Sequence, residues 1–253
     1  MKIAFFASAA PAAQAALNAL RTLYGEANLA EADYVVAIGG DGLALRALYS
    51  VIPLGKPVFA LRRTEAIGFM CNDYAVENLP ERLTQAQHVT LHPLRVETTC
   101  VNGDNASALA INEVAVLRDS PQSARLRVKV DGKERLARYS GDGLLVATPV
   151  GSTAYSHSAG GPIMPIDANT LVMTAICGYR PRRWSYAILP QDTVVDIEVL
   201  EHVKRPVRIE AGEQTTGDVA SARIWLDRSS GFTLLFDPHQ HLAERIIQEQ
   251  FMT

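Results

Sequence analysis

Cysteine is scarce in this chain of 253 residues: Cys71, Cys100 and Cys177 stand far apart in apolar or strand-like stretches. No pair has the spacing of a zinc site or a disulfide framework, so a reducing cytoplasm is expected, with no protein-built metal site. Long apolar runs are missing as well, and none approaches the roughly 18 residues that cross a membrane. The opening Met1-Lys-Ile-Ala-Phe-Phe-Ala-Ser8 has too short an apolar core for a signal peptide and reads as a first strand. Neither sign of charge dominates: 24 Lys and Arg face 27 Asp and Glu, and a net charge of -3 favours neither nucleic acid nor a membrane surface as partner. A Walker A sequence, internal repeats and low-complexity stretches are absent too, which excludes a P-loop nucleotide site and a repeat architecture. What is present, 48% apolar and 20% charged residues, is ordinary for a globular protein with a sizeable core.

The first third alternates strand and helix. Ile3 to Ala7, Val35 to Ile38 and Pro57 to Leu61 read as strands; Pro11 to Tyr24, Leu43 to Val51 and Asn78 to Gln87 read as helices. That order implies a parallel sheet with right-handed crossovers, a Rossmann-like α/β domain whose ligands bind at the carboxyl ends of its strands. Near Pro93 the pattern changes to short alternating segments separated by turn signals. Val96 to Val101 meets Asn102-Gly103 and continues as Ala106 to Leu117; Leu126 to Val130 meets Asp131-Gly132 and returns as Arg135 to Tyr139. Leu171 to Cys177, Val194 to Leu200, Val207 to Glu210 and Ala222 to Leu226 complete an antiparallel β-sandwich. Phe232 to Phe236 is a final strand, and Asp237-Pro238 starts a helix to about Gln250. The expected organisation is α/β plus all-β: residues 1–93 with 231–253 form the first domain, to which the last strand and helix return, and 94–230 form the sandwich.

Four stretches can carry chemistry. Gly39-Gly-Asp-Gly42 sits between a buried strand and a helix, where glycines admit a phosphate or ribose and Asp41 can take a proton or simply cap the helix. Thr148 to Pro162 packs Ser152, Thr153, Ser156 and Ser158 as donors around Tyr155, a flat surface for a base, with Gly160 and Gly161 open to phosphates; its bland reading is a polar crossover loop. Asn112-Glu113 interrupts the apolar run Ala108 to Leu117, as a buried pair awaiting a ligand or a solvated pair at a bend. Ser140-Gly-Asp-Gly143 places a second aspartate between glycines, the form of a plain turn. His239 and His241 lack a third metal ligand, and His157 suits a solvent-facing loop position. Arg180, Arg182 and Arg183 beside Trp184 make a local basic cluster suited to phosphate or to a subunit contact.

In order and spacing, Gly39 to Gly42, Asn112-Glu113, Gly141 to Gly143 and Thr148 to Pro162 resemble the NAD kinase family, in its short bacterial form, over nearly the whole chain. The Thr-Pro-x-Gly-Ser-Thr-Ala-Tyr run is the specific part; the Gly-Gly-Asp-Gly turn is shared with diacylglycerol-type lipid kinases. The resemblance implies transfer of the γ-phosphoryl group of ATP to the adenosine 2′-hydroxyl of NAD, giving NADP. Asp41 is then the general base, with Gly42 and Arg46 beside it. Asn112 and Glu113 hold adenine and ribose. Asp142 lies at the ribose end and in relatives serves a neighbouring subunit. Thr153, Ala154, Tyr155 and Ser158 surround the nucleotide. Mg²⁺ or another divalent ion accompanies ATP, NAD is the substrate, and the enzyme is a homodimer or homotetramer. The chain departs from the family where Leu61-Arg-Arg-Thr-Glu-Ala66 replaces an Asn-x-Gly segment. Two alternatives accompany this reading: a non-catalytic NAD or NADP binding regulator, and a diacylglycerol-type lipid kinase.

Overall fold

The computed structural model describes residues 1–63, 69–238 and 250–251. The chain divides into two compact units, Met1–His92 with Ser229–Phe251, and Pro93–Arg228. The first unit begins with β1 (Ile3–Ala7), α1 (Pro11–Tyr24), β2 (Tyr34–Gly39), α2 (Asp41–Val51) and β3 (Val58–Arg62). Short β4 (Asn72–Asp73), α3 (Leu79–Gln85) and β5 (Gln87–Leu91) follow, and the last described strand, Phe232–Phe236, closes the sheet. The sheet order is β1-β2-β3, then the closing strand, then β5, with β4 also on β3. Pairings are parallel except between the closing strand and β5.

The helices form where the sequence supplies their signals. In α1, Pro11 occupies the first turn, where its missing N–H is not needed. Ala13, Ala16, Leu17 and Leu20 recur at helical spacing and are buried on one face. Burying each of the two leucines contributes roughly 1.5–3 kcal/mol. Gly25 then stops the helix at a positive φ of 70°, its N–H donating to Arg21 O at 2.9 Å. The closing strand is fastened by Asn72, fully buried, whose amide donates to Ala60 O (3.1 Å) and Leu235 O (2.9 Å) and accepts from Asp237 N–H (2.9 Å). Arg82 adds a fork to the Asp237 carboxylate at 2.6 and 3.0 Å.

The second unit is two six-stranded sheets around one core. The elements in order are β6 (Leu94–Cys100), β7 (Asn105–Ala110), β8 (Glu113–Arg118), β9 (Ala124–Val130), β10 (Lys133–Gly141) and β11 (Gly143–Ala147). Then come β12 (Thr170–Ile176), β13 (Tyr186–Pro190), β14 (Val195–Val199), β15 (Val207–Ala211), β16 (Gln214–Thr216) and β17 (Val219–Leu226). One sheet runs β10-β9-β14-β17-β6-β7 and the other β13-β12-β11-β8-β15-β16. Their alternate residues meet in one cluster, among them Val96, Leu126, Val128, Leu144, Val146, Ile197 and Ile224.

Three expectations need correction. The helix expected from Asn78 to Gln87 ends at Gln85, and Gln87 begins a strand that pairs with the closing strand. Ala106 to Leu117 is not one strand. It ends as β7 in one sheet, crosses at Ile111-Asn112 and resumes as β8 in the other, so an apolar run that reads as continuous is buried by two different sheets. Strands β4, β11, β13 and β16 lie outside the expected set: β4 is two residues long, β11 is buried on both sides and lacks alternation, and β13 and β16 lie at sheet edges. The expected terminal helix, with His239 and His241, lies outside the described residues.

Candidate active site

Strand β2 delivers Gly39 to the carboxyl edge of the first unit's sheet, and α2 starts two residues later. A side chain at Gly39 would press on Leu43, 3.0 Å from its Cδ2, so the close strand-to-helix turn favours a residue without a Cβ there. Asp41 is the first residue of α2, and the N-cap position before it is Gly40. Its carboxylate reaches the segment before β4. Oδ2 accepts Phe69 N–H at 2.7 Å, and Oδ1 accepts Met70 N–H at 3.0 Å and the Cys71 thiol at 3.4 Å. Three donors thus fix the carboxylate's orientation while Oδ2 keeps lone-pair capacity for a hydroxyl proton. Gly42 and Arg46 lie four residues apart on the exposed face of α2, opposite Ala44, Ala47 and Leu48. Arg62 pairs with Asp73 at 2.8 Å, and Arg63 stacks over Tyr74 with 4.6 Å between guanidinium carbon and ring centre.

In the second unit the Thr148 loop and the Asn112-Glu113 crossover are one structure. Thr148 Oγ1 donates to Ile111 O at 2.8 Å, and Thr148 N–H donates to Asn112 O at 2.9 Å. Gly151 lies flat on the Asn112 backbone, and any side chain there would collide with Asn112 O. Asn112 Oδ1 and Glu113 Oε2 are buried without a hydrogen-bond partner among the described residues. Burial pushes the Glu113 carboxyl up to about 7. A fold leaves such groups unsatisfied at a cost of about 1–3 kcal/mol each unless something else completes them.

The loop's own hydroxyls divide into two sets. Ser152 and Ser156 are buried and used internally: Ser152 Oγ accepts Met164 N–H at 2.9 Å, and Ser156 pairs with Thr174 at 2.9 Å. Gly161 is buried too, pressed against Ser156 and Thr174. These three are therefore structural and correct the expectation that they face a ligand. Tyr155 and Ser158 are exposed, Tyr155 at 40%, while Thr153 and Ala154 are half-buried.

Asp142 sits between β10 and β11 and is not a plain solvated turn residue. Arg118 Nε donates to its Oδ1 at 2.7 Å, Arg118 N–H donates to its carbonyl at 2.9 Å, and its own N–H donates to Ile176 O at 2.9 Å. Strands β8 and β11 pair so that Glu113 faces Ala147 while Leu117 faces Gly143. Glu113 and the Asp142 turn therefore occupy opposite ends of one strand pair, about 17 Å apart at about 3.4 Å per residue. Sequence reading missed the Phe69–Cys71 donors and Arg118. The contact of Phe69, Met70 and Cys71 with Asp41 is tertiary, and Arg118 is one arginine among many.

An oriented acid at a strand–helix turn and a buried amide–carboxylate pair short of hydrogen bonds are the parts of a nucleotide-binding protein. Comparison with known proteins narrows this. The ATP-NAD kinase C-terminal domain family matches residues 111–233. The NAD kinase of Rhizobium meliloti is 46% identical over 249 residues, covering 98% of this chain and 96% of the relative. That of Xylella fastidiosa is 43% identical over 250 residues, covering 99% and 96%. Among solved structures, yeast NADH kinase complexed with NADH superposes with a TM-score of 0.81 at 21% identity, over 99% of this chain and 87% of that one. An NAD kinase from Archaeoglobus fulgidus in complex with ATP gives 0.77 at 22%, over 99% of each chain. At those identities the structures testify to fold. The chain belongs to the NAD kinase family.

Proposed function

We propose that this chain transfers the γ-phosphoryl group of ATP to the adenosine 2′-hydroxyl of NAD, releasing NADP and ADP. Neither alternative, a binding regulator or a lipid kinase, gains support from the relatives. The observation that carries the assignment of roles is the orientation of Asp41 by Phe69 and Met70 N–H groups. Asp41 takes the 2′-hydroxyl proton as the oxygen bonds to the γ-phosphorus and the bond to ADP breaks. Gly42 leaves the turn open to the substrate, and Arg46 on the same helix face contacts the dinucleotide.

Asn112 and Glu113 hold adenine and ribose, the ligand supplying the hydrogen bonds that the fold leaves unmade. Thr153, Ala154, Tyr155 and Ser158 surround the nucleotide, with Tyr155 offering an exposed ring for stacking. Among the described residues no three His, Cys, Asp or Glu side chains cluster as metal ligands. Mg²⁺ would come carried on the triphosphate, bound mainly by phosphate and water, where it would neutralise charge. Asp142, at the far end of the β8–β11 pair, serves a neighbouring subunit of a homodimer or homotetramer. Exposed Tyr186 and Ile188 on edge strand β13, 45% and 50% accessible, support a subunit contact. No described helix is long and apolar enough to cross a membrane, and the three cysteines are free, in keeping with a cytoplasmic enzyme.

The test is incubation of the pure protein with Mg-ATP and NAD, followed by NADP detection. NADP formation dependent on both substrates is expected. NAD binding without NADP, across several phosphoryl donors, would turn the assignment to a regulator.

A further inference from the structure

The connection from β12 to β13, residues 177–185, carries Arg180, Arg182 and Arg183. We infer that it is a phosphate-binding element serving the same dinucleotide site as Asp142. This rests on the reading of Asp142 as a nucleotide-site residue.

Arginines elsewhere in the molecule commonly face a carboxylate, as Arg82 does Asp237, Arg95 does Asp227, Arg127 does Glu198 and Arg228 does Asp192. Arg180, Arg182 and Arg183 are exposed and have no carboxylate partner among the described residues. Asp142, on the turn beside them, is already paired with Arg118 and does not neutralise them.

Three cations on a loose loop would be an ordinary solvated surface. This loop is mounted. Ser140 N–H donates to Arg180 O at 2.9 Å, and Ser140 O accepts Tyr179 N–H at 3.0 Å and Arg180 N–H at 3.3 Å. Gly178 and Gly141 approach so closely that a Cβ on Gly141 would lie 2.9 Å from Gly178 Cα. Beneath them Tyr139, fully buried, donates its hydroxyl to Gly143 O at 2.6 Å and lies 3.1 Å from Ile176 O, the carbonyl that also accepts Asp142 N–H. Trp184 stands edge-on to the Tyr139 ring at 5.9 Å and anchors the far side of the loop. The Asp142 turn and the arginine loop are thus one rigid piece, an acid suited to ribose hydroxyls beside guanidinium groups suited to phosphate oxygens. A dinucleotide offers partners for both chemistries: ribose hydroxyls for the acid, and for the guanidinium groups a diphosphate bridge and, once phosphorylated, a 2′-phosphate.

The test is the full-length triple variant Arg180→Gln, Arg182→Gln, Arg183→Gln, with equilibrium binding of NAD, NADP and Mg-ATP, the melting temperature and the oligomer size measured together. Asp142→Asn is run in parallel. The expected result is a weakening of dinucleotide binding by about tenfold or more, partly restored by lysine at the same positions, with Mg-ATP binding, melting and oligomer size unchanged. Equal loss for NAD and NADP places the diphosphate on the loop, and loss for NADP alone places the 2′-phosphate there. Unchanged dinucleotide binding, loss confined to Mg-ATP, or loss that accompanies dissociation of the oligomer overturns the inference. Should Asp142→Asn leave dinucleotide binding intact, the reading of Asp142 fails by itself, separately from the arginine result.

Discussion

Asp41 and Glu113 are both carboxylates assigned to one reaction, and the fold treats them in opposite ways. Asp41 is furnished with two backbone N–H donors and a thiol before any ligand arrives. Glu113 is buried with one oxygen unpartnered, next to an Asn112 whose side-chain amide oxygen is equally unpartnered among the described residues. A group that must act in one geometry on a moving proton gains from being oriented in advance. A group that must recognise a substrate gains from being left incomplete, because the substrate then removes a penalty already present in the free protein.

The contrast can be broken most severely at Asp41. Asp41→Asn keeps the shape but removes the base, and its amide nitrogen no longer accepts one of the two N–H groups that the carboxylate holds. A loss of about 10²–10⁴ in kcat is expected with NAD affinity within a few-fold of wild type, read by steady-state NADP formation and equilibrium NAD binding. A variant of near-normal kcat would remove Asp41 from the chemistry.

Glu113→Gln probes the other acid through stability. The folded carboxyl is raised from 4.5 to about 7 by burial. Its contribution is therefore fully favourable below the unfolded value and is lost as pH rises through about 7. The variant should be stabilised relative to wild type by on the order of 2–3 kcal/mol at pH 8, a gap that closes toward pH 4.5. Thermal melts of the two ligand-free proteins across that range check it; a gap independent of pH would contradict the burial argument.

Gly151→Ala forces a methyl group into Asn112 O. A destabilisation of about 1–3 kcal/mol is expected, with weakened NAD binding because the shifted backbone carries Asn112 with it. Denaturant melts and binding titrations report the two effects separately. The smallest effect belongs to Asn112→Ala. Deleting an acceptor that the free protein leaves unsatisfied removes its penalty while losing packing, so melting should barely change or rise, whereas losing one ligand hydrogen bond of about 1 kcal/mol weakens NAD binding roughly fivefold. Equal losses in melting and in binding would show that Asn112 is satisfied without ligand.

Much of this was legible in the residues because the signals are local. Pro11 and the leucine spacing give α1, the glycine turn gives the β2–α2 junction, and Asp131-Gly132 gives the β9–β10 hairpin. What was not legible depends on contacts between distant segments. The run from Ala106 to Leu117 marks its sheet change only by the polar pair Asn112-Glu113, which reads equally as a ligand site, since both sheets bury apolar residues alike. The hydroxyls of the Thr148 loop look equivalent in a sequence, yet Ser152 and Ser156 are consumed by Met164 N–H and Thr174. Nor does any pattern show that Phe69 and Met70 hold Asp41, because backbone donors have no residue signature.

The contrast between the furnished acid and the incomplete one is tested most directly by proton release on NAD binding. Calorimetry at pH 7 in two buffers of different ionisation enthalpy measures it. With the free Glu113 carboxyl near 7 and a ribose hydroxyl favouring its ionised form, about half a proton should leave per NAD bound, falling toward zero by pH 9. Binding with no proton exchange at pH 7, or with uptake, would contradict the account.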